Sequence, residues 1–292
     1  MTTRPQDFRF SHPLRVRWAE VDMQKIVFNA HYLMYFDTGV ADYWRALALP
    51  YEAAMHLLGG DLYVKKAGIE FHASARYDDQ LDVRLKCARI GNSSMQFSGA
   101  IFRGEQLLIT GELVYVFADP ATQTSKPVPQ ALRDILLGYE AGQDMCTLAV
   151  GGWAELQTEA RQLRGQVFVD EQNIPAELVC DAADALAVHV LARNRLGQAI
   201  GTGRLVREAP GVGRIGRMAV NRVLRGAQVG RQMLDALVRA SARRGDREVM
   251  LHAQRSARGF YEGQGFAARG PAFEEAGIEH IEMVLALPHG QG

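Results

Sequence analysis

The spacing of hydrophobic and polar positions changes along this chain and divides it in two. From Ala30 to Leu47, apolar residues recur three or four apart at Leu33, Phe36, Val40, Tyr43, Trp44 and Leu47. That spacing predicts a helix with a broad apolar stripe, most simply one that a sheet wraps. Ahead of it, Leu14-Arg15-Val16-Arg17-Trp18 alternates apolar and basic residues like a half-buried strand. Behind it, strand-like segments run from Tyr63 to Ala75, Leu81 to Ile90, Met95 to Phe102 and Leu107 to Phe117. Asp78-Asp79, Gly91-Asn92 and Gly104-Glu105 separate them with turn chemistry. Such closely spaced strands favour antiparallel neighbours, and one helix against an antiparallel sheet is an α+β layer fold.

Past residue 145 helices and strands interleave instead. Between the two styles, Pro127-Val128-Pro129 opens a short helical stretch to about Gly138, and Glu140-Ala141-Gly142-Gln143-Asp144 is small and polar, as a linker should be. The expected domains are therefore 1–142 and 147–292. In the second, Arg214-Ile215-Gly216-Arg217-Met218-Ala219-Val220 is apolar and β-prone. After a turn bearing Gly226 and Gly230, Val229, Met233, Leu234 and Leu237 fall on one helical face. A strand, a glycine-bearing turn and a helix start form an anion site, because free backbone N–H groups converge there and the helix dipole adds positive potential. Such a site suits a pyrophosphate.

Composition narrows the classes. Lys+Arg and Asp+Glu both number 33, a balance that argues against a nucleic-acid binder held by a broad basic face. Cys87, Cys146 and Cys180 are scattered and odd in number, which reads as reduced thiols. The first residues lack the apolar core of a signal peptide, and no apolar run approaches a membrane span. A cytoplasmic protein without membrane partners is expected. His189, His252 and His280 have no metal-ligand spacing, so no metal is expected.

In the first half, the segment from Glu20 through Asp22 to Val27-Phe28-Asn29-Ala30-His31-Tyr32-Leu33-Met34-Tyr35-Phe36-Asp37 resembles the pattern of hotdog-fold acyl-CoA thioesterases of the 4-hydroxybenzoyl-CoA thioesterase branch. The resemblance covers most of residues 12–138 and implies an antiparallel sheet wrapped around a long helix. It also implies that Asp22 is catalytic, as nucleophile or as the base that activates water. On physical grounds, a carboxylate near a helix start suits attack on a thioester carbonyl whose oxyanion the helix stabilises. Read without the resemblance, Asp22 suits a turn or a cap equally. Asn29 either orients water or carbonyl, or caps the helix. Three places depart from the family: Glu20 where Asp is usual, Gln24-Lys25-Ile26 where a Gly before the Val-aromatic pair is frequent, and Asn29 where His is frequent. The aromatics Tyr32, Tyr35, Phe36, Tyr43 and Trp44 read as an acyl pocket or, more simply, as core. Glu70 and His72, two apart on a strand, share a face. The family builds its site across a dimer, which implies a homo-oligomer, a dimer or tetramer through this domain.

In the second half, Arg225-x-x-Gln228-x-Gly230 resembles the acyl-CoA-binding turn of the GNAT acetyltransferases, with Gln where a middle glycine is usual. The following Val249–Gln254 and Phe260-Tyr261-Glu262-Gly263-Gln264-Gly265-Phe266 resemble the family's next strand and helix. A finer resemblance is to the ElaA-like branch. It rests on Arg164-Gly165-Gln166-Val167-Phe168-Val169-Asp170-Glu171-Gln172, on Asp181, Asp184 and His189, and on Phe273–His280, and it covers about 150–288. It implies a mixed α/β domain that binds acetyl-CoA. Met218, Ala219 and Val220 would pair with the pantetheine, and Arg225, Gly226, Ala227, Gln228, Val229, Gly230 and Arg231 would surround the pyrophosphate. Tyr261 would be the general acid, and Phe168, Glu171, Asp184, Glu275 and His280 would line a pocket for a cationic amine. The resulting expectation is a bifunctional enzyme that hydrolyses a short or aromatic acyl-CoA in one half and acetylates a small amine in the other. The alternatives are a chain with one working half and a non-catalytic acyl-CoA sensor.

Overall fold

The computed structural model describes residues 3–288. Residues 1–2 and 289–292, the outer ends of the two expected domains, lie outside the described residues. The chain divides into two compact units, Met1–Met145 and Cys146–Gly292.

The first unit runs β1 (Phe10–Arg15), α1 (Asn29–Ala46), α2 (Tyr51–Leu58), β2 (Asp61–Phe71), β3 (Gln80–Ile90), β4 (Ser94–Arg103), β5 (Gln106–Ala118) and α3 (Gln130–Glu140). Its five strands form one antiparallel sheet in the order β1-β3-β4-β5-β2. Two glycines set how closely α1 approaches that sheet. Gly99 and Gly111 face each other across β4 and β5, and the fully buried Phe36 of α1 fills the space above them. A Cβ at Gly99 would lie 2.4 Å from the Phe36 ring, and one at Gly111 would lie 2.6 Å from it. The other stripe aromatics, Tyr32, Tyr35, Tyr43 and Trp44, are also buried, so they belong to the core. Tyr43 donates to Glu140 Oε1 (2.5 Å), which also accepts from the Cys87 amide (2.9 Å) and ties α3 to the sheet.

Three sequence expectations shift in this unit. The alternation at Leu14–Trp18 continues a strand that begins at Phe10 and ends at Arg15; Trp18–Glu20 is a 3₁₀ turn with Trp18 at the surface. Pro13 lies within this strand, which is at the edge of the sheet, where proline is tolerated. β2 stops at Phe71, so His72 follows the strand and pairs with the Thr110 hydroxyl (2.9 Å) rather than sharing a strand face with Glu70. Finally α2, closed by Gly59 in the left-handed region (φ 72°), lies where no element was expected.

The second unit runs β6 (Cys146–Gly151), α4 (Trp153–Arg164), β7 (Val188–Asn194), β8 (Ala199–Ala209), β9 (Val212–Val220), α5 (Val229–Arg243), β10 (Glu248–Gln254), α6 (Arg258–Glu262), β11 (Ala267–Glu275) and β12 (Ile278–Ala286). A π-helical segment, Gly165–Glu171, continues α4. The sheet order is β11-β12-β10-β9-β8-β7-β6, antiparallel throughout except where β9 and β10 lie parallel. That parallel pair is joined through α5, whose face of Val229, Met233, Leu234 and Leu237 is buried. Pairing of β9 with β10 covers only Val212–Ile215 and Glu248–Leu251. Beyond that point the two strands part.

A bulge marks the parting. Thr202 pairs with Ala219 and Arg204 with Gly216, so Arg217 and Met218 together oppose Gly203. Arg217 adopts φ 51°, a left-handed conformation unusual for a non-glycine residue. Its guanidinium holds that conformation by donating to Leu178 O (2.8 Å), Val179 O (3.1 Å) and Asp181 (3.2 Å).

Behind the bulge lies a buried ion cluster, and it corrects the expectation for Asp184. Its side chain is almost wholly sealed from solvent. It is buried and accepts from both Arg164 (3.0 Å) and Arg204 (2.9 Å). Asp181 pairs with Arg204 at its rim (2.7 Å). His189, fully buried, pairs through Nε2 with the Asp184 carbonyl (2.9 Å), which marks that nitrogen as the protonated one. Burial pushes the Asp184 carboxyl up, but the Arg204, Asp181 amide and Arg164 contacts outweigh it and hold it below its ordinary value. Asp181 is held down to about 2, chiefly by Arg204.

Two outcomes follow from this packing. Gly99→Ala should destabilise the first unit by about 1–3 kcal/mol through overpacking on Phe36, and Phe36→Leu in the same chain should recover part of that loss in urea titrations. Asp184→Asn should cost about 3–5 kcal/mol at neutral pH, because it leaves buried guanidinium groups uncompensated. Both folded-state carboxyl values lie below the unfolded value of about 4. The Asp184 contribution is therefore complete above about pH 4, and the deficit of the variant should shrink as pH falls below that.

Candidate functional sites

In the first unit the loop between β1 and α1 is fixed at both ends. Glu20, buried, accepts from the Tyr35 hydroxyl (2.8 Å) and from the Arg17 amide and Nε (both 2.7 Å). Its carbonyl accepts from the Phe28 amide (2.9 Å). Burial raises the Glu20 carboxyl, yet the Arg17 and Tyr35 bonds prevail and keep it below the usual range. Through the Tyr35 bond Glu20 ties this loop to α1.

Asp22 sits within that frame, half-buried, in a tight turn. Its Oδ1 accepts from the Gln24 amide (2.7 Å), its own amide donates to Ile26 O (2.9 Å), and Lys25 takes φ 62°. This is an Asx turn, and it leaves the second carboxylate oxygen without a hydrogen bond among the described residues. α1 begins just beyond. Its N-cap is Phe28 and no side chain caps it, so Asn29, at the first helical position and exposed, does not serve as the cap. The first-turn amides of α1 therefore have no side-chain acceptor. Trp18, Met23 and Phe28 are large apolar groups exposed around this loop, and Tyr63, Val64 and Phe71 are exposed on the edge strand β2.

In the second unit a cavity of about 420 Å³ opens where β9 and β10 separate. Of the expected site residues, Phe168, Met218, Tyr261, Glu275 and His280 line it. Tyr261 is buried in α6, and desolvation pushes its phenol up to about 12, so it carries its proton at neutral pH. His252 meets Glu275 through Nδ1 (2.8 Å), with Arg214 beside it.

The structure does not bring Glu171 into the cavity. Both of its oxygens are held by Arg225 (2.5 and 2.7 Å) at the turn before α5, which sets its carboxyl below the ordinary range. Arg225 is therefore oriented by a carboxylate partner rather than standing free. The turn itself bends through Gly226 (φ 87°) and Gln228 (φ 65°). Gln228 thus adopts the left-handed conformation that glycine would take without strain, and as N-cap of α5 it supplies no side-chain bond. The amides of Val229, Gly230 and Arg231 at the helix start have no side-chain acceptor. Phe260, next to Tyr261, lies 3.6 Å from where a Gly230 Cβ would be, so α6 abuts this turn. Ala219 and Val220 lie on β9 at the approach to it.

Sequence reasoning gave no role to Arg214, Gln172, Gln254 and His252, all of which line the cavity. The signal was present in β10. Val249, Met250, Leu251 and Ala253 are buried, whereas His252 and Gln254 break the apolar run two apart and share one face. Among the described residues no group of three His, Cys, Asp or Glu side chains is arranged to hold a metal ion, and no helix is long and apolar enough to cross a membrane.

Comparison with known proteins agrees with this division. A model of the thioesterase-like superfamily matches residues 16–136, and a model of the GNAT acetyltransferase domain matches residues 156–287. The uncharacterized N-acetyltransferase YjcF of Bacillus subtilis (strain 168) is 34% identical over 127 residues, 43% of this chain and 89% of that protein. The acyl-CoA thioester hydrolase YbgC of Escherichia coli O157:H7 is 24% identical over 124 residues, 42% of this chain and 92% of that protein. Among solved structures, a putative N-acetyltransferase from Lactobacillus plantarum aligns with TM-score 0.47 and 27% identity over 50% of this chain and all (100%) of its own. Slr0204, a 1,4-dihydroxy-2-naphthoyl-CoA thioesterase from Synechocystis, aligns with TM-score 0.41 and 19% identity over 44% of this chain and 95% of its own. The chain therefore belongs to the GNAT acetyltransferase family through its second half and carries a hotdog, thioesterase-like domain as its first.

Proposed function

We propose that both halves work on coenzyme A thioesters: the first hydrolyses a short or aromatic acyl-CoA, and the second transfers acetyl from acetyl-CoA to a small amine. The observation that carries this reading is shared by the two units. Each presents an uncapped helix start and a side chain suited to thioester chemistry, Asp22 in the loop before α1 and Tyr261 in α6, whose Phe260 abuts the turn before α5. A helix start offers unpaired amides and positive potential, to a developing oxyanion in the first case and to a pyrophosphate in the second.

In the first half, the Asx turn holds one Asp22 oxygen and leaves the other to attack the carbonyl or to take a proton from water. Asn29, exposed at the helix start, would orient the water or carbonyl. The apolar groups exposed around the loop and along β2 support a homodimer through this domain, since an edge strand and an apolar patch of this kind favour a second copy. In the second half, Met218, Ala219 and Val220 on the strand edge that β10 leaves unpaired would receive the pantetheine amide. The turn from Arg225 to Arg231 would hold the pyrophosphate mainly through backbone N–H groups. Tyr261 would donate its proton to the departing sulfur, and the cavity bounded by Phe168, Glu275 and His280 would receive the amine. The reading places the protein in the cytoplasm, where acyl-CoA is made and used.

Mass spectrometry of the full chain, incubated with mixed acyl-CoAs and candidate amines, reports thiol release and acyl-amine formation separately. Asp22→Asn should lower hydrolysis by at least about 100-fold while leaving amine acetylation in place. Hydrolysis at the wild-type rate in that variant would remove Asp22 from the mechanism. Tyr261→Phe should do the converse, lowering kcat for acetyl transfer by about 100-fold with little change in KM for acetyl-CoA.

A further inference from the structure

The cavity between β9 and β10 contains a charge-linked pair of which the reading above uses only Glu275, as part of the wall, and gives His252 no role. His252 projects from β10 into the cavity. Its Nδ1 lies 2.8 Å from Glu275 Oε2 and 2.9 Å from Arg214 Nη2. These two contacts demand opposite tautomers: the carboxylate needs an N–H on Nδ1, whereas the guanidinium needs a lone pair there. Charge decides between them. Burial raises the Glu275 carboxyl, but the bond from His252 and the nearby Arg214 and His280 outweigh it, so Glu275 is ionised at neutral pH. A lone pair held 2.8 Å from an ionised oxygen would be repelled, whereas an N–H there makes a charge-assisted bond. Arg214 does not depend on the imidazole, since Glu208 (3.6 Å) and Glu275 (4.0 Å) both face it. In the neutral imidazole, therefore, Nδ1 carries the proton and Nε2 carries the lone pair. Nε2 has no hydrogen-bond partner among the described residues, and the ring is fixed edge-on against Phe273, with centroids 4.7 Å apart.

We propose that His252 is the general base that takes the proton from the acceptor amine, and that Glu275 is its positioning residue. This deepens the acetyltransferase reading and rests on it. The amine nitrogen attacks the thioester carbon, so one N–C bond forms as the C–S bond breaks. His252 Nε2 receives the proton that the nitrogen loses, and the departing sulfur receives a proton from Tyr261. Solvent then restores both side chains, and the net change is exchange of an amine hydrogen for acetyl. A carboxylate behind Nδ1 stabilises the imidazolium that forms, as an acid–His pair does in hydrolases. The acceptor is accordingly an amine that enters neutral, having left its extra proton in solvent.

The charged and titratable groups facing His252 are Arg214 on β9, Glu275 on β11, and His280 and Glu282 on β12. Arg269 neutralises Glu282, and Tyr261 shares the cavity. The test uses the full chain in an Asp22→Asn background, with acetyl-CoA and four acceptors: putrescine, L-lysine, glucosamine and glycinamide. With the best of these at saturation, His252→Gln should lower kcat by about 100- to 10,000-fold and abolish the acid limb of its pH profile. KM for acetyl-CoA should stay within about twofold. Glu275→Gln should lower kcat yet retain the limb, a split that a merely structural loss would not give. Transfer by His252→Gln with the wild-type rate and limb would overturn the proposal while leaving the acetyltransferase reading intact. Absence of transfer to all four amines by the parent chain would count against that reading instead. A second measurement needs no acceptor: ¹⁵N-histidine NMR should show His252 protonated on Nδ1 and bare on Nε2, an arrangement lost in Glu275→Gln. An Nε2–H signal in the parent chain would also overturn the proposal.

Discussion

The second unit is organised by a single backbone event, the bulge at Arg217 and Met218. Two residues of β9 opposite one of β8 increase local twist and turn the end of β9 away from β10. A parallel pair that would otherwise close the sheet is open from Gly216 and His252 onward. The left-handed Arg217 costs conformational energy, about 1–2 kcal/mol for a residue with a Cβ. Three hydrogen bonds from its guanidinium to Leu178, Val179 and Asp181 offset that cost.

The buried cluster behind the bulge explains why Arg217 stays in place. Asp181 is shared between Arg217 and Arg204, and Arg204 is shared in turn with Asp184. Asp184 also anchors Arg164, the last residue of α4, whose guanidinium lies over the Trp153 ring at 5.0 Å. The loop from 176 to 186 is thus bound by charge to three different elements. Such a network contributes little net stability compared with an apolar core, but breaking one member strands the others in low dielectric. Its effect is geometric: it fixes where Leu178 and Val179 present their carbonyls, and so where β9 must bend.

These relations also show what sequence can and cannot disclose. The stripe from Leu33 to Leu47 and the strand–turn–helix from Arg214 to Leu237 were legible because local periodicity alone specifies them. The close approach of Phe36 was not, since it depends on two glycines brought opposite each other by strand register. Asp184 and Glu171 have the same chemistry in a string of letters. One is sealed among guanidinium groups and the other is clasped by Arg225, and only tertiary partners distinguish them from Glu275, which does reach the cavity. Gln228 was legible as a departure, but not its consequence: the backbone takes the glycine-like angle and keeps the turn. His252 was visible as a polar break in β10, yet its meaning required Glu275 from another strand.

On the proposed reading, the two halves must treat water in opposite ways, and their surfaces differ accordingly. Hydrolysis needs water at the thioester, and Asp22 sits half-exposed in a loop whose neighbours Met23, Gln24 and Lys25 are all at the surface. Transfer needs the amine to reach the thioester ahead of water, which is present at far higher concentration. In the second unit Tyr261 is buried, and apolar side chains such as Phe168, Ile215, Met218 and Leu251 form much of the cavity wall. A base there must act on a proton brought in by the acceptor rather than on bulk solvent. Glu275 alone would serve poorly, because an acid held ionised below its ordinary value is a weak proton acceptor. Paired behind an imidazole, the same carboxylate instead stabilises positive charge at the moment the amine gives up its proton, which is where selectivity for an amine over water would arise.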